Sequence, residues 1–316
     1  MKTLTDLCKK DSLNIEGTVI KMNKTKILIL GGSSYIGRYL FNALGKDRAI
    51  PTYYKNPINN GIYFDSLSMD LAQILKELNS VSHAVILLND TNFETSAQNI
   101  EKSNALNIDS LKLIVNCLNH HNITPIFCSS DYVFDGIKGN YTEEDPVNPI
   151  ITYGKQKVEI EKFIQKTCDK YIIVRFSKVY GSEEGDGTLF TNWLEEITSN
   201  KKISCAYDQI FSPVYIDDVT TAIIELIDND CNGIFHISGN VAFSRLDLLE
   251  ILLKHFRGKS QIKTEVVRCS IHDFPFIEKR PLNISMKSDK LIKTTKIQLH
   301  DINTICKKIV FDHFKK

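Results

Sequence analysis

Short apolar runs alternate with helical stretches through the middle of the chain. Lys26–Leu30 (KILIL) ends at Gly31-Gly32 and predicts a buried strand running into a turn. Ile36, Leu40 and Leu44, four apart and followed by Gly45, predict a helix with a glycine stop. Ala49–Tyr54 and Ile62–Phe64 predict two strands, Asp70–Leu78 a helix, and Ala84–Leu88 a further buried strand. Ser96–His120 reads as one long helix, with Leu106, Ser110, Leu113 and Cys117 keeping one face small or apolar. Pro125–Ser129 predicts a strand, 131–150 a turn-rich loop, Tyr153–Cys168 a helix and Tyr171–Arg175 another strand. Strands apolar at every position and separated by helices predict an α/β fold: a doubly wound parallel sheet covered on both faces. After residue 178 the rhythm breaks into short strands and amphipathic helices. The expected organisation is an appended segment over 1–24, whose order the pattern does not decide, a sheet domain over 25–178, and a smaller lobe over 179–316. That lobe caps the carboxyl ends of the sheet and returns in part to the first domain.

Composition narrows the class. The 316 residues carry 39 Lys and Arg against 38 Asp and Glu, a formal charge of +1. So even a balance gives no general attraction to nucleic acid or anionic lipid. No window approaches a membrane span, and the charged first 25 residues do not read as a secretory signal. The eight cysteines are scattered without metal-ligand spacing, which argues against zinc and a disulfide framework and for a reducing, cytoplasmic setting. No metal is expected.

Chemistry first enters at Gly31-Gly32-Ser33-Ser34-Tyr35-Ile36-Gly37, between a strand and a helix. A dinucleotide turn needs glycine for the tight bend, for access to pyrophosphate and for close helix packing. Gly31 and Gly37 suit the first and third roles, and Ser34 takes the middle one. A βα turn without a ligand is the alternative. No carboxylate ends the second strand, which closes Tyr53-Tyr54-Lys55, and Arg38 follows the last glycine. Two cations and no acid suit a 2′-phosphate, so NADP(H) is expected over NAD(H), unless both are plain surface cations.

Tyr153 and Lys157 stand four apart at the start of a helix, hence on one face. That spacing is common by chance; its place after a buried strand ending Ser129-Ser130 gives it meaning. A free phenol has a pKa of about 10, and a nearby ammonium is expected to bring it down into proton-transfer range. Ser130 would then hydrogen-bond the substrate oxygen that Tyr153 protonates.

These residues resemble the extended short-chain dehydrogenase/reductase superfamily and, within it, the dTDP-4-dehydrorhamnose reductase family. The likeness runs from about Lys26 to the C-terminus. Ser129–Gly136 (SSDYVFDG) is its most specific stretch, followed by Tyr153–Lys157 (YGKQK), Val174–Gly181 (VRFSKVYG), Asp208–Pro213, Gly233–Gly239 and Arg280–Leu291. The resemblance implies an NAD(P)-binding Rossmann fold with a substrate-binding lobe, and reduction of a nucleotide-linked 4-keto sugar. It implies Ser130, Tyr153 and Lys157 as catalytic, and Ser34, Tyr35, Ile36, Leu87, Leu88 and Asn89 as lining the dinucleotide. It places Cys128 near the nicotinamide, and Asp131 and Tyr132 at the sugar. A nucleotide sugar is the expected partner, with no nucleic acid and no membrane, and a homodimer is left open.

Two departures stand out. Leu87-Leu88-Asn89 replaces an alanine-rich segment and bulks up the cofactor cleft. Lys178 stands where these reductases commonly carry tryptophan; it would favour a more anionic sugar or a differently placed phosphate, unless it points to solvent. The other readings are a sugar-nucleotide epimerase or dehydratase, and a non-catalytic dinucleotide-binding regulatory subunit like that of methionine adenosyltransferase. The first of these lacks a second carboxylate, since Tyr132 follows Asp131.

Overall fold

The structure, a computed structural model, describes residues 14–15, 18–19, 25–256 and 263–315. The segment expected over 1–24 lies outside the described residues, apart from an antiparallel pairing of Asn14–Ile15 with Thr18–Val19. Seven strands form the central sheet: β1 (Lys26–Leu30), β2 (Ala49–Tyr53), β3 (Ile62–Tyr63), β4 (Val81–Ile86), β5 (Thr124–Ser130), β6 (Ile172–Phe176) and β7 (Gly233–Ile237). They lie in the order β7-β6-β5-β4-β1-β2-β3, and each ladder is parallel. Chain order reverses between β1 and β4, which opens a crevice at the carboxyl ends of those strands.

An all-apolar strand feeds two cores because its side chains alternate. Ile27, Ile29, Val85, Ile126 and Val174 join Leu40 and the helix Ile216–Asp228 on one face. Leu28, Leu30, Ile86, Phe127 and Ile173 join Leu111, Val115, Ile160 and Ile164 on the other. A third core lies in the second lobe, where the helices Leu189–Thr198, Arg245–Phe256 and Ile302–His313 pack around Phe190, Trp193, Leu249 and Ile309.

The sheet departs from the sequence reading in two places that shape the site. β4 spans Val81–Ile86, not Ala84–Leu88: Leu87 still donates its N–H to the Leu30 carbonyl, at 2.9 Å, and then the chain leaves the ladder. The long helix is broken into Phe93–Gln98, Ile100–Asn104, a π-helical turn Ala105–Asp109, and Ser110–His120. Asn99 causes the first break, because its side chain accepts from the Lys102 N–H and competes with the helix backbone. Beyond residue 179 the chain returns to the sheet: β7 pairs with β6, and the helix Ile216–Asp228 packs under it.

Candidate active site

The carboxyl ends of β1, β4, β5 and β6 open on one cleft of about 430 Å³. On its β1 side, Gly31 (φ +88°) makes the tight bend and donates to Thr52 Oγ1 at 3.0 Å. A Cβ on Gly37 would sit 2.4 Å from the Gly31 carbonyl oxygen, so only glycine lets the helix pack this close. Ser34 is the N-cap of the helix Tyr35–Leu44, its hydroxyl accepting from the Gly37 N–H at 3.2 Å. The serine hydroxyl therefore serves the helix, whose first residues, Tyr35 and Ile36, line the cleft. The polar loop after Gly181 fastens to this turn: Asp186 accepts from Tyr35 Oη at 3.1 Å and from Thr188 and Thr191.

On the opposite side the helix Thr152–Thr167 carries Tyr153 and Lys157. Its start lies so close to the strand-end segment that a Cβ on Gly154 would meet the Tyr132 carbonyl oxygen at 2.1 Å. Glu278, from the second lobe, caps it by accepting from the Thr152 N–H at 2.9 Å. Deeper in, Arg175 and Glu161 form a buried two-pronged ion pair, Nη2–Oε2 2.7 Å and Nε–Oε1 3.1 Å, and Ser129 Oγ donates to the same carboxylate at 2.5 Å. This pair locks the helix onto β5 and β6.

Ser34, Tyr35, Ile36, Leu87, Asn89, Cys128, Ser130, Asp131, Tyr132, Tyr153 and Lys178 all line the cleft. Six other expected residues do not, Lys157 among them. Gly31 and Gly37 lie within the turn, Leu88 packs into the core on the far face of the sheet, and Lys55 is exposed beyond the cleft, 5.8 Å from the Tyr54 ring centroid. Arg38 is exposed too, with its guanidinium donating to the Ser33 carbonyl at 2.9 Å. Of the two leucines expected to crowd the cleft, only Leu87 reaches it, because consecutive side chains leave a strand on opposite faces.

The phenol does not behave as the spacing predicts. Tyr153 Oη accepts from Asn89 Nδ2 at 3.1 Å, and its pKa is displaced upward, by burial first and by the Asp131 charge second. Lys157 is buried behind it, with Nζ 5.5 Å from the ring centroid and donating to the Cys128 carbonyl at 2.8 Å. Burial pushes this ammonium down to about 8. Desolvation is the largest influence on both groups. Ser130 Oγ donates to Asp131 Oδ1 at 3.0 Å and accepts from the Tyr132 N–H. The Asp131 carboxyl is buried and pushed up to about 7, against the pull of Ser130, Ser177 and Lys178. Cys128 is raised to about 12 by burial and is an inert thiol at neutral pH.

Lys178 is solvent-accessible, yet it lines this cleft and a second cavity of about 360 Å³ that continues into the other lobe. Phe93, Tyr132, Gln209 and Arg245 also belong to both. The second cavity adds Trp193, Phe274, Phe276, Lys202 and Arg280. Arg280 is 5% exposed; it lies 4.8 Å from the Phe93 ring centroid and 4.7 Å from that of Phe276, and its Nη1 has no hydrogen-bond partner. Sequence reasoning missed Phe93, Gln209, Arg245 and Arg280 as site residues, since only the tertiary fold brings them together. It also missed Asn107, buried in the π-turn, which holds the Asp90 N–H and Gln156. A buried Asn within an otherwise apolar helical face was the available signal. Among the described residues no group of three or more His, Cys, Asp or Glu could hold a metal, the cysteines are free, and no helix is long and apolar enough to cross a membrane.

The profile of the RmlD substrate binding domain matches residues 25–313. The dTDP-4-dehydrorhamnose reductase of Aggregatibacter actinomycetemcomitans is 25% identical over 304 residues, covering 90% of this chain and 98% of that one. The methionine adenosyltransferase 2 subunit beta of Bos taurus is 33% identical over 130 residues, 39% of each chain. A dTDP-4-dehydrorhamnose reductase of Bacillus anthracis, solved in complex with NADP, superposes with a TM-score of 0.80 at 20% identity, over 92% of this chain and 99% of that one.

Proposed function

The chain belongs to the RmlD substrate binding domain family, and on that premise we propose that it is an NADP(H)-dependent reductase of a nucleotide-linked 4-keto sugar, for which the names of its relatives suggest dTDP-4-dehydrorhamnose. The observation that carries this reading is the convergence of three things on one cleft. These are the helix N-terminus behind Ser34, the Ser130 and Tyr153 hydroxyls, and a cation-rich second cavity.

The dinucleotide fits the first of these. The turn has no Cβ at the points where one would close it, and it sets a helix N-terminus at the cleft, the position that suits a pyrophosphate. Ser34, Tyr35, Ile36, Leu87 and Asn89 would hold it. When bound, the reduced nicotinamide supplies the hydride. Tyr153 keeps its proton at neutral pH because burial and Asp131 hold its pKa up, so its resting form is the acid that a carbonyl oxygen needs. Ser130 offers a hydroxyl beside it, steadied by Asp131 and the Tyr132 N–H. Lys157 braces the Tyr153 helix against the β5 end through Cys128.

The substrate's charge is met at the neck between the cavities. Lys178 and Arg245 form no ion pair among the described residues, and Arg280, paired with Glu94 through Nη2, keeps its buried Nη1 without a partner. Together they suit a diphosphate, with the sugar on the Tyr153 side and the base among Phe274, Phe276 and Trp193. Preference for NADP(H) over NAD(H) rests on the acid-free strand end Tyr53-Tyr54-Lys55 and on Arg38 beside the turn.

The test is NADPH oxidation with dTDP-4-dehydrorhamnose, against NADH and against Tyr153→Phe. Turnover that favours NADPH and falls at least about a hundredfold in Tyr153→Phe supports the reading. NADPH binding without turnover would overturn it in favour of a regulatory subunit.

A further inference from the structure

The Tyr153 hydroxyl accepts a single side-chain hydrogen bond among the described residues, from Asn89 Nδ2 at 3.1 Å. The contact is held on both sides. Before it, the Leu87 N–H donates to the Leu30 carbonyl; after it, the Asp90 N–H donates to Asn107 Oδ1 at 3.0 Å. Asn107 in turn donates to Gln156 at 2.8 Å, and Gln156 lies on the helix that carries Tyr153. One polar network therefore sets the position of the amide relative to the phenol. The Phe93 ring, 4.8 Å from that of Tyr153, closes the remaining side.

A phenol oxygen that accepts an N–H keeps its own O–H free to point elsewhere, here into the cleft. When the O–H bond breaks and the proton passes to a substrate oxygen, the electron pair stays on Oη. A fixed donor then gains strength, because its partner has become charged. Lys157 does not fill that place: among the described residues its Nζ hydrogen-bonds the Cys128 carbonyl and not the Tyr153 oxygen.

We propose that Asn89 is a positioning residue that orients the Tyr153 hydroxyl toward the cleft and stabilises the phenolate left when its proton departs. The inference rests on Tyr153 being the acid of the reaction. Burial and Asp131 push the phenol pKa up, and among the leading influences Asn89 is the group that opposes them.

The experiment measures NADPH oxidation with dTDP-4-dehydrorhamnose in wild type, Asn89→Ala, Asn89→Asp, Tyr153→Phe and the Asn89→Ala/Tyr153→Phe double variant. It is paired with the side-chain amide NMR signal of Asn89 in ¹⁵N-labelled protein. Asn89→Ala lowers kcat by roughly 10- to 100-fold, the worth of a hydrogen bond to a charged oxygen, with the KM for the sugar substrate within about twofold. Its solvent deuterium isotope effect on kcat rises, because proton transfer becomes slower. Asn89→Asp, equal in size but an acceptor, loses at least as much. Asn89→Ala costs nothing further once Tyr153 is Phe, and Tyr153→Phe shifts the Asn89 amide signal. An unchanged kcat in Asn89→Ala, a rise in KM alone, or a full Asn89→Ala loss persisting in Tyr153→Phe overturns the proposal. Undiminished turnover in Tyr153→Phe overturns the parent reading, and this one with it. A crippled Tyr153→Phe beside a wild-type Asn89→Ala overturns this one alone.

Discussion

Glu161→Gln removes one charge from the pair that fixes the Tyr153 helix to the sheet. Both partners are almost wholly buried, Arg175 at 3% and Glu161 at 2% exposure. The substitution keeps the size of the side chain and leaves an oxygen for the Ser129 hydroxyl. It strands the Arg175 guanidinium among groups that cannot replace the carboxylate. The Phe134 ring centroid lies 5.3 Å away, and His236 is held neutral, its pKa pushed down to about 3 by burial and by Arg175 itself. Removing one partner of such a pair costs about 3–5 kcal/mol, and the retained Ser129 bond offsets about 1 kcal/mol of that. A net loss of about 3 kcal/mol is a large share of a total of about 5–15 kcal/mol. Urea unfolding followed by far-UV circular dichroism should show the midpoint falling by about 1 M at unchanged slope. Glu161→Leu combined with Arg175→Met should recover most of the loss, since an apolar pair leaves no charge stranded. A single variant within about 1 kcal/mol of wild type, or a double variant as unstable as the single, would refute this account of the pair.

Two other substitutions probe the site walls. The Asp131 carboxyl, with its pKa raised from 3.8 to about 7, binds its proton more tightly in the folded chain than in the unfolded one. Wild type therefore loses stability as pH rises between those values, by at most about 4 kcal/mol. Asp131→Asn abolishes that slope, so thermal melts should show the variant gaining on wild type from pH 4 to about 7 and holding its lead above; parallel curves would count against the buried carboxyl. Gly154→Ala places a methyl 2.1 Å from the Tyr132 carbonyl oxygen, so the helix must move. Because a shift of about 1 Å at a reacting group costs on the order of 10²-fold, kcat should drop by that order while NADPH binding, read by fluorescence, persists.

How much of the site could be read in advance follows from how far each contact reaches along the chain. The glycine turn and the Tyr153–Lys157 spacing are local, and both stand on the elements their patterns predict. Arg280 and Phe93 are 187 positions apart, and no periodicity links them. The direction of the Tyr153 shift differs from the sequence expectation for a related reason. Four-residue spacing establishes that an ammonium is near, but burial and the Cys128 carbonyl decide what that ammonium does.

From the order of residues alone come the parallel sheet, the glycine-bearing turn and the helix with its phenol, because each is set by local periodicity, turn stereochemistry and side-chain pattern. Tertiary structure alone decided that Asn89 meets the phenol, that Leu88 turns inward, and that Lys178 and Arg245 stand together at the neck of two cavities. These facts depend on where distant strand ends and loops converge, and on the desolvation that convergence imposes. Neither quantity is carried by any short stretch of chain.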